Sequence, residues 1–252
     1  MSRTISLIYG VLGYALFLGV SLYAFGFVGG FVTPTSLDGA PGRPLFEALA
    51  IDLGLLAAFA LQHSGMARPT FKRWWTRLVP EPVERSTYVL LSSLAMVALF
   101  IGWQPIGGVV WKTEGPIRLA VIGAYAFGWV VLLYATFLID HFDLFGLKQV
   151  WRRFTGRTHV APRFHTPGLY RVVRHPIYIG WLMIFWAAPV MTAAHLVFAV
   201  VTTVYILVAI QFEERDLLDV FGAEYADYRR RTPMLTPRLT RRRRTPSSAT
   251  FV

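Results

Sequence analysis

Four long, predominantly apolar runs, residues 5–31, 45–61, 88–106 and 117–139, constrain this chain more than any other feature, because each is about long enough to cross a bilayer core of roughly 30 Å. Inside such a core the backbone must satisfy its own hydrogen bonds, and continuous apolar runs do so as helices. A further block, residues 177–210, is too long for one ordinary span and is interrupted by Pro189 and the turn-like Thr192-Ala193-Ala194. It predicts two shorter helices in a tight hairpin. The expected fold is therefore all-α: a polytopic membrane helical bundle of about six transmembrane helices, with a C-terminal amphipathic helix after the hairpin. Composition agrees, since 55% of residues are hydrophobic, only 15% are charged, and mean hydropathy is +0.49.

A formal net charge of +11 raises the question of nucleic acid, but its distribution answers otherwise. Of 25 Lys and Arg, 22 fall in four segments: residues 1–4 (one), 62–87 (five), 140–176 (seven) and 211–252 (nine). With an even number of spans all four lie on one side of a membrane. The positive-inside rule then predicts an inner-membrane protein with both termini and both long basic loops in the cytoplasm, facing anionic lipid headgroups and no nucleic acid. The chain has no cysteine, which excludes disulfides, thiolate metal sites and a cysteine nucleophile. No metal site is expected. The first run is too long for a signal-peptide core and is read as a retained span.

The division expected is one membrane domain over residues 1–235 and a basic, disordered tail over 236–252 that includes Arg241 to Arg244. Lys72-Arg73-Trp74-Trp75 suits an interfacial anchor, with tryptophans at headgroup depth. Asp52, inside the second span, is expected to pair with a polar neighbour near the outer side. His195, in the outer turn of the hairpin, is expected to lie away from inner-face chemistry.

The densest polar cluster sits at the two feet of the hairpin: Arg174-His175-Pro176-Ile177-Tyr178-Ile179-Gly180 before it, and Phe212-Glu213-Glu214-Arg215 after it. Proline disfavours helix for the residue before it and suits the first helical position, so His175 should stand just outside a helix opened by Pro176. That helix start is electropositive and could seat an anion. Two adjacent carboxylates at a helix end point in different directions. At most one of them is therefore expected to share a pocket with His175, while the other pairs with Arg174 or Arg215.

Read as a whole, Gly168-Leu169-Tyr170-Arg171-Val172-Val173-Arg174-His175-Pro176-x-Tyr178-x-Gly180, a hairpin, Glu213-Glu214 and Phe221-Gly222-x-x-Tyr225-x-x-Tyr228 resemble the C-terminal region of the isoprenylcysteine carboxyl methyltransferase and phospholipid methyltransferase superfamily. The resemblance implies S-adenosylmethionine held at the cytoplasmic face by Tyr170, Arg174, His175, Pro176, Tyr178, Glu213 and Glu214, with Tyr225 and Tyr228 behind them. Gln62-His63-Ser64-x-Met66-Ala67-Arg68-Pro69, Glu84-Arg85-Ser86-Thr87-Tyr88 and His141-Phe142-Asp143-Leu144-Phe145-Gly146-Leu147 are similar to the bacterial methanethiol S-methyltransferases. That family has Asn before the His-Phe-Asp run where this chain has Asp140, a change that keeps the acceptor and adds a charge.

The activity implied is methylation of a small thiol, methanethiol to dimethyl sulfide. Alternatives are an isoprenylcysteine carboxylate or phospholipid amine as acceptor, or a non-catalytic membrane protein associated with nitrogen-oxide respiration. A thiol with a pKa near 8.5 needs a base or a nearby cation to react as thiolate. His141, His165 and Arg174 are the catalytic candidates for this, with His63 behind the two histidines. The sequence leaves the oligomeric state open.

Overall fold

The computed structural model describes residues 1–157 and 164–237. Most of the tail read from residue 236, and Arg163 in the inner loop, lie outside the described residues. In chain order the elements are α1 (Arg3–Gly29), α2 (Leu45–Ala67), α3 (Pro69–Trp75), α4 (Glu81–Gly102), β1 (Val109–Lys112), α5 (Gly115–Leu138), α6 (His141–Leu144), α7 (Leu147–Phe154), a 3₁₀ turn (Gly168–Arg171), α8 (Pro176–Trp186), β2 (Val190–Thr192) and α9 (Ala193–Arg231). Helices α1, α2, α4, α5 and α9 are long and apolar enough to cross a membrane. The chain is thus an all-α, multi-pass membrane protein, as the apolar runs predict. Prolines open α3, α4, α5 and α8, where a missing N–H is harmless.

The basic segments gather at one end of the bundle. Arg153 donates to Met1 O (2.9 Å), Arg85 Nε to Leu144 O (2.7 Å), and Arg68 pairs with Asp216 (2.9 Å). At the opposite end Asp52 accepts from the Gln104 amide (2.8 Å), and Trp103 Nε1 donates to Leu37 O (3.2 Å). There His195, buried at the start of α9, lies 3.4 Å from Asp38 and 3.0 Å from Phe185 O. Asp52 therefore has its polar neighbour, and His195 lies at the end remote from the basic segments.

The hairpin differs from the two comparable helices expected. Its first arm, α8, has 11 residues, about 16 Å of rise, and stops short of a full crossing. Pro189 cannot continue a helix, so residues 187–192 run extended toward the opposite end. There β2 pairs antiparallel with β1, Val109 opposite Thr192 and Lys112 opposite Val190. Carbonyls freed by the break are taken up by β1 and its flank: Trp111 Nε1 donates to Ala188 O (3.2 Å), and Thr113 N and Oγ1 donate to Pro189 O (2.8 and 3.0 Å). The second arm, α9, is capped by Thr192 and runs unbroken past Glu213 and Glu214.

Helix α8 is placed against α5 by two glycines. A Cβ on Gly180 would stand 2.8 Å from Leu132 N and 2.9 Å from Gly128 O, and one on Gly128 would stand 3.1 Å from Gly180 O. Backbones this close are how helices associate in lipid, where apolar burial alone offers no drive. Gly180 thus fixes the depth and rotation of Tyr178, two residues earlier. Gly180→Ala should destabilise the protein by about 1–3 kcal/mol through overpacking. The check is thermal unfolding in detergent, where an unchanged midpoint would mean the α5–α8 contact is looser than described.

Candidate functional site

His175 takes a non-helical conformation (φ −126°, ψ 63°) ahead of Pro176, the first residue of α8, as the His-Pro pair predicts. The carboxylates drawn to this helix start belong to the protein itself. Glu214 is buried, and its Oε1 accepts from His175 Nε2 (3.1 Å) and Arg174 Nε (2.7 Å), while its Oε2 accepts from Arg229 Nε (2.9 Å). Glu213 has a side chain 44% exposed; its Oε2 accepts from the Tyr178 hydroxyl (3.0 Å) and lies 3.8 Å from His175 Nδ1. Both carboxylates therefore flank one imidazole, whereas only one was expected to reach it. The ring inserts between the adjacent side chains and bridges their angular separation on α9.

Arg229 reaches Glu214 because of Gly222. Fifteen residues of straight helix would separate the two by about 22 Å. Gly222 instead adopts φ 53°, ψ −123°, a region open essentially to glycine alone, and kinks α9 back on itself. The amphipathic segment expected after the hairpin is this second limb of α9. It buries Tyr225 and Tyr228, and Tyr228 donates to Tyr170 O (2.6 Å). The Tyr225 hydroxyl is buried with no hydrogen-bond partner among the described residues and is an electrostatic neighbour of Glu213 and Glu214.

The structure thus brings together Tyr170, Arg174, His175, Pro176, Tyr178, Glu213 and Glu214. Their duties differ. Arg174 is consumed by Glu214, by Thr232 O (2.5 Å) and by Arg229 O (3.2 Å), and the His175 and Arg174 amides bond the carbonyls of Met234 and Pro233. It orders the site instead of offering a free cation. Tyr170 donates to Ala135 O (3.4 Å), closing the cluster against α5. His165 is exposed in the loop, next to Phe164, whose ring packs on Tyr225 and Tyr228.

His141 stands apart from this cluster. It is buried, with Nδ1 2.8 Å from Thr136 Oγ1 and Nε2 2.8 Å from the Tyr14 hydroxyl. The Thr136 hydroxyl donates to Leu133 O, so it accepts from Nδ1–H, and Nε2 accepts from Tyr14. Phe137 stacks on the ring at 4.4 Å and Phe145 lies at 4.8 Å. The contacts made by His141 tie α1 to the end of α5, which is a bracing role. Asp140 beside it has φ 77°, a left-handed conformation that Asn and Asp tolerate best, caps α6 by accepting from Asp143 N, and pairs with Lys148. Burial alone would raise its carboxyl, but Lys148 and the Asp143 amide outweigh this and hold it below the usual range. The Asn-to-Asp difference is thus explained: the geometry suits either residue, and the added charge meets Lys148.

A second polar cluster involves His63, which sequence reasoning ranked behind the other histidines. Its Nδ1 is 3.2 Å from Ser92 Oγ, the Tyr88 hydroxyl lies 2.9 Å from Nε2, and neighbouring Ser64 bonds Tyr205 of α9 (3.0 Å). The signal available in the sequence was the Gln62-His63-Ser64 run inside an apolar helix. Separately, a groove of about 910 Å³ at the basic end is lined by Arg3, Lys72, Arg85, Arg152, Arg153 and Arg157 with Glu81, Glu84 and Asp143 among others, and it shares no residue with the His175–Glu214 cluster.

Burial holds the His141 pKa below its ordinary value. Below about pH 6.5 the unfolded chain therefore takes up the proton more readily than the folded one, and stability falls as pH drops toward the folded pKa. Thermal unfolding in detergent between about pH 7.5 and 5 should show this loss, and His141→Gln should flatten it. An unaltered slope in the variant would place the titration elsewhere. Asp140→Asn keeps cap and conformation and should cost under about 1 kcal/mol, against about 1–2 kcal/mol for Asp140→Ala. Equal losses on denaturant unfolding would show that the ion pair dominates.

Comparison with known proteins follows the same geography. The Phospholipid methyltransferase family matches residues 123–224, from α5 into α9. Methanethiol S-methyltransferase of Crocosphaera subtropica is 53% identical over 238 residues, covering 94% of this chain and 93% of that protein. Methanethiol S-methyltransferase 2 of Bradyrhizobium diazoefficiens is 52% identical over 244 residues, 97% of this chain and 94% of that protein. The Mycobacterium tuberculosis protein of the same name is 49% identical over 94% of this chain and 98% of its own length. No solved structure matches the chain. Identity of about half over more than nine-tenths of the chain and of each relative makes this chain a member of the methanethiol S-methyltransferase family.

Proposed function

We propose that the chain uses S-adenosylmethionine to methylate a small thiol, converting methanethiol to dimethyl sulfide. The observation that carries this reading is the division of labour at the foot of α8: Glu214 is spent on Arg174, His175 and Arg229, while Glu213, half-exposed, meets the protein among the described residues through Oε2. A donor carrying a sulfonium and an ammonium suits such a carboxylate. It also suits the phenol of Tyr178, whose ring face attracts cations. The orphan hydroxyl of Tyr225 supplies a further polar contact for it. These residues fit the donor.

The donor brings a methyl group activated by its sulfonium, so the protein's task is alignment and exclusion of water. Glu213 and Tyr178 hold and orient from α9 and α8; Tyr225, Tyr228 and Phe164 close the site from the kinked limb. By the positive-inside rule the basic end faces the cytoplasm, with both termini there, in a bacterial inner membrane. The cationic groove and Trp74 then meet anionic headgroups. The names of the relatives favour the thiol acceptor, and the family match over residues 123–224 keeps a phospholipid amine as the competing acceptor.

Glu213→Gln should weaken S-adenosylmethionine binding by roughly tenfold or more while changing stability by under about 0.5 kcal/mol. Glu214→Gln should lose about 3–5 kcal/mol of stability, because it strips charge from a buried network. Calorimetric titration and thermal unfolding of the purified protein separate the two, and normal donor binding by Glu213→Gln would displace the site. Turnover of phosphatidylethanolamine but not methanethiol, with labelled donor, would overturn the acceptor.

A further inference from the structure

Polar groups concentrate a second time, where α9 meets α2 and α4. Gln62, His63 and Ser64 come from α2, Tyr88 and Ser92 from α4, and Tyr205 from α9. Gln62 Nε2 (3.3 Å) and His63 Nδ1 (3.2 Å) converge on Ser92 Oγ, the Tyr88 hydroxyl lies 2.9 Å from His63 Nε2, and Ser64 is joined to Tyr205. Such groups within apolar helices are unfavourable unless they face a partner or a cavity. Gln62 Oε1 is buried here with no hydrogen-bond partner among the described residues, an acceptor left over once their bonds are made.

Tyr178 joins this cluster to the foot of α8. Its hydroxyl donates to Glu213, and its phenol is an electrostatic neighbour of those of Tyr205 and Tyr88. Along α9, Tyr205 precedes Glu213 by about 12 Å of helix, on the membrane side of it. A ligand seated at Glu213 therefore has His63 and its neighbours on the side from which an apolar acceptor, dissolved in the hydrocarbon layer, would arrive.

Resting on the methyltransferase reading above, we propose that the His63 cluster is the thiol subsite and that His63 takes the thiol proton. The walls suit a methyl and a sulfur: Phe59 stacks on His63 at 5.2 Å, and Met66 Sδ lies 3.2 Å from Gln62 Nε2. Both ring nitrogens face hydroxyls; the one that donates to the unprotonated nitrogen can turn to accepting as the ring gains a proton. The S–H proton passes to an imidazole nitrogen, the freed sulfur pair forms a bond to the donor's methyl carbon, and the donor's carbon–sulfur bond breaks with its electrons returning to the donor's sulfur. The imidazolium then releases its proton to water. His141 is enclosed by Tyr14, Thr136 and Phe137, away from Tyr178, Glu213 and Glu214, which leaves His63 better placed than His141.

The full-length protein in detergent allows a direct test. His63→Gln should retain S-adenosylmethionine affinity within about twofold and lose about a hundredfold or more in kcat for methanethiol. Its remaining rate should climb with pH as solution thiolate grows, where the wild type levels off. Tyr88→Phe serves as a second variant should the first fold poorly, and it should raise KM for methanethiol without altering donor affinity. Because the chain has no cysteine, His63→Cys introduces a single thiol. Methyl methanethiosulfonate, which delivers a CH3S group, should label it in the folded protein, and dimethyl sulfide should slow that labelling.

Unchanged kcat and KM in His63→Gln, or a His63→Cys variant that the reagent cannot reach, would overturn the subsite. Loss of donor affinity in step with kcat would reassign His63 to the donor and overturn it equally. Failure of the wild type to bind S-adenosylmethionine would instead remove the methyltransferase reading, with the labelling result still reporting whether the cluster is open to a small sulfur ligand.

Discussion

A carboxylate taken out of water must find charge and hydrogen bonds inside the protein, and Glu214 finds both in two arginines and a histidine drawn from two separate parts of the chain. Arg174 and His175 precede α8, while Arg229 lies beyond the kink of α9. Meeting at one carboxylate, they fix the start of α8, the depth of α9 and the return of its second limb. The backbone of residues 232–234 follows, held by Arg174 and by the amides before Pro176. With Glu214 occupied, Glu213 and Tyr178 are left in defined positions at the surface of the same cluster.

Two backbone devices make this convergence possible. Gly222 alone among side-chain choices allows the turn that brings Arg229 back, with open space around it and so no packing reason for a small residue. Gly180 and Gly128 let α8 lie against α5 at backbone distance, which a membrane-embedded pair achieves only with small residues. The short α8 belongs to the same logic. An arm ending at Trp186 lets the extended segment pair with β1 and satisfies the carbonyls that Pro189 frees.

Much of this was legible in the sequence. The His175-Pro176 helix start follows from proline sterics, and the gathering of the basic segments at one end follows from where the cations lie along the chain. The length of α8 was not legible, because an apolar run gives the same signal whether helical or extended. Nor was the sharing of His175 by both glutamates, which depends on how α8 and α9 pack, or the saturation of Arg174, which depends on a fold-back around one glycine dihedral. The surroundings of the histidines were hidden from the sequence for a related reason. His141 sits in a long polar loop, which invites a functional reading, yet it is enclosed by Tyr14, 127 positions away in sequence. His63 looked like one polar residue in an apolar helix, and its partners Tyr88 and Ser92 lie on another helix.

The central proposal is that the methyl donor binds between the start of α8 and the two limbs of α9. Ultraviolet cross-linking of radiolabelled S-adenosylmethionine to the purified protein, with the labelled peptides mapped by mass spectrometry, tests it most directly. Label confined to peptides containing residues 170–178 and 213–228 is the predicted result. Label confined to peptides from residues 68–85 and 143–157, around the basic groove, would contradict it.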